Sequence, residues 1–192
     1  MNTHKRIALG FASLALAGGG LGGGVAAAAD GGEATTQSRQ AGLTTTQSAE
    51  LQRQVDAVIA ESGGRQVAAN IVDLGHGASV RLVVPGEKYV RDLATTRGPV
   101  TAPIQAVCPY KDFCAYQGTN YTGHEQRFGE CYNEKLKGQG WSGSGSWYNN
   151  QSQSYMRAEM YGKAGNRVYR DDGPGSHDQN ANWRPVWSIK PC

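Results

Sequence analysis

The chain has 192 residues, with 19 Lys and Arg against 16 Asp and Glu, for a formal net charge of +3. Lys5 and Arg6 lie in an amino-terminal segment that the sequence predicts to be removed, which leaves 17 basic and 16 acidic side chains. So small an excess creates no long-range field for nucleic acid or an anionic membrane. Neither is an expected partner.

Residues 1–29 have the organisation of a secretory signal peptide. A basic front, MNTHKR, precedes an uncharged stretch of apolar and small residues, and AAAA offers small residues before a cut between Ala29 and Asp30. The uncharged stretch approaches the roughly 20 residues of a membrane span, so a single anchor is the alternative. Its many glycines favour export with cleavage, which predicts a secreted, extracellular protein without membrane contact after cleavage.

Residues 30–46 are polar or small and show no apolar period, which predicts a disordered lead-in. An amphipathic helix is predicted next, with Ser48 as a candidate N-cap and Gly63–Gly64 as a stop. Its apolar residues follow the i, i+4, i+7, i+8 spacing of one helix face: Leu51, Val55, Val58 and Ile59.

Two strands are predicted after the helix, in residues 65–74 and 78–86, joined by a turn in which His76 lies between two glycines. With the helix they make a small αββ unit over residues 47–91. A unit of this length, without disulfide or metal, rarely folds alone. It must pack on another part of the chain, dimerise or serve as a removable pro-segment.

Aromatic residues mark a domain boundary. Of sixteen Phe, Trp and Tyr, fourteen lie at or after Tyr110, and no cysteine precedes Cys108. Residues 92–107 are rich in Thr and Pro, which predicts a linker. Residues 108–192 consist of short apolar or aromatic runs separated by Gly and Asn turns, which predicts a mostly β domain, a sandwich or a small barrel.

An even number of cysteines in an exported chain predicts two disulfides. Three pairings are possible for Cys108, Cys114, Cys131 and Cys192. We favour Cys108–Cys114 across a short local loop and Cys131–Cys192 across a long one. A zinc site is the alternative, but no CxxC pair is present and thiolates oxidise outside the cell.

The stretch FCAYQGTNYTG carries Tyr116, Tyr121 and Gly123. A strand that ends at the first tyrosine and returns through the second would bring the two rings into contact. The glycine would take a backbone conformation or a close approach that forbids a side chain. We interpret the motif as part of the scaffold.

The aromatic-x4-aromatic-x-glycine pattern resembles the Greek-key signature of βγ-crystallins. The run YNNQSQSY is similar to the closing part of that key, with matches at Asn149, Asn150 and Ser154. A second, degenerate copy starts at Tyr161. The resemblance implies a βγ-crystallin-like β-sandwich of two Greek keys over residues 108–192, preceded by the small αββ unit.

The order of signal peptide, polar lead-in, CPYKDFCAYQGTNYTG and a degenerate two-key domain ending in a cysteine resembles peptidase inhibitor family thirty-six. The resemblance implies a secreted proteinaceous peptidase inhibitor, with extracellular metalloproteases as the class it suggests, an extracellular protease as its partner and no cofactor. Candidate contact residues lie in two glycine-rich loops: Trp141 as an aromatic anchor in residues 138–147, and His177 and Asp178, which could approach a protease zinc.

The alternative is a non-inhibitory structural module of the βγ-crystallin type that binds Ca²⁺ or carbohydrate. Hard oxygen ligands suit Ca²⁺, and Asn149, Asn150 and Ser154 are the candidate ligands of a weak site. In the second key Arg184 would repel a cation.

An enzyme is not expected, because no HExxH or GxSxG motif is present. We interpret the adjacent pair His124 and Glu125 as an exposed strand edge. The sequence leaves the oligomeric state open.

Overall fold

The computed structural model describes residues 31–99, 108–138 and 140–192. The predicted signal peptide and the second half of the predicted linker lie outside these ranges. Helices α1 (Gly31–Gln40) and α2 (Thr45–Ser62) precede the strands. The strands are β1 (Arg65–Ala68), β2 (Ile71–Gly75), β3 (Ala78–Arg81), β4 (Phe113–Tyr116), β5 (Glu125–Phe128), β6 (Glu134–Lys135), β7 (Ser144–Asn149), β8 (Glu159–Tyr161), β9 (Arg167–Arg170), β10 (His177–Asn182) and β11 (Ser188–Lys190).

Helix α1 occupies part of the segment for which disorder was predicted, and that prediction is wrong for Gly31–Gln40. Only small residues of α1 are buried, among them Ala34, which is 3% exposed. The side chain of Gln37 accepts a hydrogen bond from the amide of Ala69 at 2.8 Å. A helix that docks through small residues and one amide shows no apolar period, so the sequence pattern could not reveal it.

Helix α2 begins earlier than predicted. Its N-cap is Thr44, not Ser48, and Gln47 completes a capping box by accepting from the Thr44 amide at 3.0 Å. Gly63 ends the helix in the left-handed conformation, at φ +69°. Leu51, Val55 and Val58 are buried on one face, as the spacing predicts.

Three strands follow α2 where two were predicted, because the run 65–74 folds back on itself at Asn70. The buried Asn70 amide donates to the carbonyls of Leu82 and Arg91, both at 2.9 Å. These bonds hold the turn between β1 and β2. The unit is therefore αβββ, with α1 packed against it, rather than αββ.

The amino-terminal strands continue the sheet of the disulfide-bonded region. Seven strands form one antiparallel sheet, the large sheet, in the order β1-β2-β3-β5-β4-β7-β10. The junction is the β3–β5 ladder, in which Ala78 lies opposite Phe128 and Arg81 lies opposite Glu125. The unit thus packs on the rest of the chain through main-chain hydrogen bonds as well as side chains.

The small sheet has the order β6-β11-β8-β9, and all its pairings are antiparallel. Within residues 108–192, the large sheet takes β4, β5 and β7 from the first half and β10 from the second. The small sheet takes β8, β9 and β11 from the second half and β6 from the first. Buried apolar residues fill the space between the sheets, including Phe113, Phe128, Trp147, Met160, Trp183 and Ile189. The described residues are thus mostly β, and their two sheets are consistent with a β-sandwich.

The two disulfides join Cys108 to Cys114 and Cys131 to Cys192, with Cα atoms 5.8 and 5.3 Å apart. This is the pairing favoured from the sequence. The first closes the entry to β4, and the second ties the carboxyl terminus to the loop after β5. In the ranges that the structure describes, no helix is long and apolar enough to cross a bilayer.

Candidate functional site

The tyrosine motif shapes the connection between β4 and β5. Tyr116 ends β4 and Tyr121 lies in a short 3-10 turn, Thr119–Tyr121, with their ring centroids 5.6 Å apart at 77°. Gly123 has φ +78°, and a Cβ there would lie 3.3 Å from the Gln117 Cβ. The motif supplies an edge-to-face ring contact and a left-handed glycine, so it acts as scaffold and presents no reactive group.

A buried charged cluster lies where the amino-terminal unit joins the sandwich. Glu125 is fully buried, and its carboxylate lies 2.8 Å from the Arg127 guanidinium. The Tyr116 hydroxyl donates to the same carboxylate at 3.2 Å. Burial, and then the Glu125 charge, raise the pKa of the Tyr116 phenol, so it stays protonated as a donor.

Burial lowers the pKa of Arg81, which lies opposite Glu125 across the β3–β5 ladder, and the Arg127 charge lowers it further. The interpretation of His124–Glu125 as an exposed edge is wrong, because β5 pairs with β4 on one side and β3 on the other. The cluster lies within a junction between strands, with Glu125 and Arg127 buried and Arg81 half-buried.

His124 borders a cleft of about 480 Å³ beneath α2. Its Nδ1 accepts a hydrogen bond from the Val83 amide at 3.0 Å, and burial lowers its pKa, which keeps the imidazole neutral. The lining residues are Arg53, Gln54, Ala57, Val58, Glu61, Leu82, His124 and Gly138. None of these described lining residues is a Ser, Thr or Cys.

Trp141 is not a protruding anchor. Its indole packs edge-on against Trp183, with centroids 5.5 Å apart, and its Nε1 donates to the Lys137 carbonyl at 2.7 Å. The Gly138 amide donates to Glu61 of α2 at 3.0 Å, which ties this loop to the amino-terminal unit. The loop is fixed from both sides, but its aromatic ring is used mainly for packing.

His177 and Asp178 begin β10, and the His177 ring lies 6.0 Å from the Tyr148 ring. Trp141 contacts Trp183, beyond the other end of β10, so about 15–20 Å of strand separates the two predicted loops at 3.3 Å per residue. The structure therefore does not bring the predicted contact residues into one site.

Two of the three predicted calcium ligands, Asn149 and Asn150, make side-chain hydrogen bonds within the protein. Asn149 is fully buried; its Oδ1 accepts from the Gln151 amide at 3.0 Å and its Nδ2 donates to Asp171 at 2.7 Å. The Asn150 side chain donates to the Cys108 carbonyl at 2.8 Å. Ser154 is exposed, outside these bonds. Calcium binding stays a prediction.

The buried carboxylate of Asp171 anchors the same corner of the sandwich. It accepts from the amides of Ala158 and Gly173, at 2.9 and 3.0 Å. Burial raises its pKa, and the hydrogen bonds from Asn149 and these amides oppose the rise. Among the described residues, no group of three or more His, Cys, Asp and Glu is arranged to hold a metal ion.

The sequence analysis did not single out Gly129–Asn133, five consecutive exposed residues after β5. We call this segment the cysteine loop. Cys131 ties it to Cys192, and the Gly129 amide donates to the Gly77 carbonyl at 3.0 Å. The ring of Tyr132, 49% exposed, stacks on His76 with centroids 3.9 Å apart. A cysteine in a polar run after a strand is the signal that could have found it.

Comparison with known families bears on this disulfide-bonded region. Residues 101–166 match the model of peptidase inhibitor family I36. The match confirms the resemblance predicted from the sequence, over about a third of the chain. Family I36 consists of peptidase inhibitors, so the match supports the prediction of a protein without enzymatic activity. Comparisons with curated proteins and with solved structures gave no match.

Proposed function

We propose that this protein is a secreted inhibitor of extracellular peptidases, with metalloproteases as the first class to test. The observation that carries the proposal is the match of residues 101–166 to peptidase inhibitor family I36. Its two disulfides support export, because such bonds persist in oxidising compartments. The metalloprotease class rests on the family resemblance.

We further propose that residues 108–192 form two crystallin-type Greek keys. The support is the symmetry of the strand orders, β5-β4-β7-β10 in one sheet and β9-β8-β11-β6 in the other. If β4–β7 and β8–β11 are the two keys, the third strand of each crosses to the other sheet. Such an arrangement puts both keys around one core.

The cysteine loop is the contact segment that the geometry favours. Inhibition requires a loop that enters a protease groove without losing much conformational entropy on binding. The Cys131–Cys192 disulfide and the Tyr132–His76 stack restrict the loop before binding, and all five of its residues are exposed. The predicted segments around Trp141 and around His177 and Asp178 are the competing candidates.

The amino-terminal unit belongs to the inhibitor body in this proposal. Gly77 of the β2–β3 turn accepts the Gly129 amide, and His76 packs on Tyr132. Both contacts come from the unit that the sequence suggested as a pro-segment. We expect residues 30–107 to support the contact loop rather than to be removed before inhibition.

A residual-activity titration tests the function. Purified residues 30–192 are mixed in increasing amounts with a thermolysin-type metalloprotease, subtilisin and trypsin. Stoichiometric loss of activity, with the added chain intact on a gel, is expected for at least one of them. Full activity of all three at a hundredfold excess would contradict the proposal for these classes.

A further inference from the structure

The outer face of the small sheet concentrates positive charge. The strand registers place Lys135, Ser188, Tyr161 and Arg167 in one row across β6, β11, β8 and β9. A second row contains Lys190, Glu159 and Arg170. The core residues Ile189 and Met160 alternate with these rows along their strands, so both rows point away from the core.

Five cations lie on or beside these rows, and we call this surface the basic face: Lys135, Lys163, Arg167, Arg170 and Lys190. Its acid is Glu159, which is already engaged by Arg167 at 2.6 Å and by the Tyr161 hydroxyl at 2.5 Å. Glu134 pairs with Ile189 and belongs to the opposite side of the sheet. The face is strongly positive although the whole chain is nearly balanced.

An exposed tryptophan lies among these cations. Trp187 is 44% exposed, and the ammonium groups of Lys135 and Lys163 lie 5.8 and 5.5 Å from its ring centroid. Its backbone is held on both sides, because its amide donates to the Tyr161 carbonyl at 2.7 Å and its carbonyl accepts from Leu136 at 3.0 Å. The ring is therefore presented from a fixed position between two cations.

We infer that the basic face binds an anionic polysaccharide, such as a polymer of uronic acids. Repeated carboxylates along an extended chain can reach several cations at once, which raises the avidity above that for a single small anion. The first row spans about 14 Å across three strand spacings. Trp187 offers a flat apolar surface for a sugar ring beside the lysines that pair with its carboxylate.

One observation favours carbohydrate over nucleic acid. The disulfides indicate an oxidising, extracytoplasmic environment, in which acidic glycans are abundant polymers. This site lies on the small sheet, whereas the amino-terminal unit joins the large sheet. Lys135 follows the cysteine loop by two residues, so the basic face adjoins the proposed peptidase contact.

The test measures binding of residues 30–192 to immobilised polygalacturonate by biolayer interferometry, with neutral dextran as the control surface. We expect binding to polygalacturonate that weakens as salt rises, and none to dextran. The double variant Lys135→Glu/Lys163→Glu should lose about tenfold or more in affinity. The matched double variant Arg39→Glu/Lys88→Glu changes net charge equally, from exposed positions of the amino-terminal unit, and should stay within about twofold.

Trp187→Ala separates a specific site from diffuse attraction, because it removes the ring and leaves the charge unchanged. We expect the affinity of Trp187→Ala to fall several-fold. For the Lys135→Glu/Lys163→Glu variant, an unchanged near-UV spectrum is the control for folding. Absence of wild-type binding at low salt would overturn the inference. Equal losses in the two double variants, or tighter binding to duplex DNA than to polygalacturonate at the same salt, would also overturn it.

Discussion

Removal of the amino-terminal unit should strongly destabilise residues 106–192. The β3–β5 ladder contains four residue pairs, and its loss would turn β5 from an interior strand into an exposed edge. At about 1 kcal/mol net per backbone hydrogen bond, four such bonds contribute about 4 kcal/mol. Loss of the Ala78 and Val80 cover from the strand adds about 1 kcal/mol or more.

A loss of about 5 kcal/mol is a large fraction of the 5–15 kcal/mol that stabilises a typical domain. For a fragment of this size it corresponds to a decrease in Tm of about 20 °C or more. Thermal unfolding followed by near-UV circular dichroism, compared between residues 30–192 and 106–192, measures the difference directly. If the fragment and the parent chain melted within about 3 °C of each other, the integration of β3 into the sheet would be refuted. The interpretation of the amino-terminal unit as a separable pro-segment would then be restored.

Three further predictions concern His124, Gly145 and the effect of calcium. His124→Gln should flatten the pH dependence of the free energy of unfolding. Burial lowers the pKa of His124 in the folded protein below about 6.5, the value expected when unfolded. Its contribution to the free energy of unfolding is therefore complete above about pH 6.5 and is lost as pH falls below that value. Urea unfolding at pH 7.5 and 5.5 measures this, and an equal dependence of the unfolding free energy on pH in both proteins would contradict it. Gly145→Ala should lower the free energy of unfolding by about 3 kcal/mol or more, because a Cβ there would overlap the Trp183 indole and lie 2.5 Å from the Tyr116 carbonyl. Gly143→Ala is the matched control, because a Cβ at that position would have nothing within 4 Å. Similar urea midpoints for the two variants would refute the packing argument. Calcium should leave Tm unchanged, because the Oδ1 of Asn149, one of the candidate ligand atoms, already accepts the Gln151 amide. A calcium-dependent rise in Tm that disappears in Asn150→Ala would contradict this.

Local signals in the sequence located several elements. The spacing of Leu51, Val55 and Val58 identified the buried face of α2, and Gly63 identified its end. The N-cap was misplaced because consecutive threonines precede Ser48, and only Gln47, three residues after Thr44, distinguishes the true cap. The disulfide pairing was identified from the spacing of the cysteines.

Long-range contacts account for what the sequence did not reveal. Nothing local in β3 shows that its free edge pairs with β5, since register between distant strands depends on both partners. Glu125, next to a histidine, has the composition of a surface position, and its burial becomes understandable only with Arg127 and Tyr116 around it. Trp141 was taken for an exposed anchor because the Trp183 ring that receives it is distant in sequence.

The central claim is that the chain inhibits a peptidase through a pre-formed loop. The most direct test compares wild type with three variants in titrations against whichever peptidase the wild type inhibits. Tyr132→Ala changes the cysteine loop, and His177→Ala and Ser142→Arg change the two competing segments. The account predicts a loss of about 2 kcal/mol or more, at least a thirtyfold rise in the inhibition constant, for Tyr132→Ala alone. An unchanged constant for Tyr132→Ala, with a large loss in either of the other variants, would contradict the assignment of the cysteine loop.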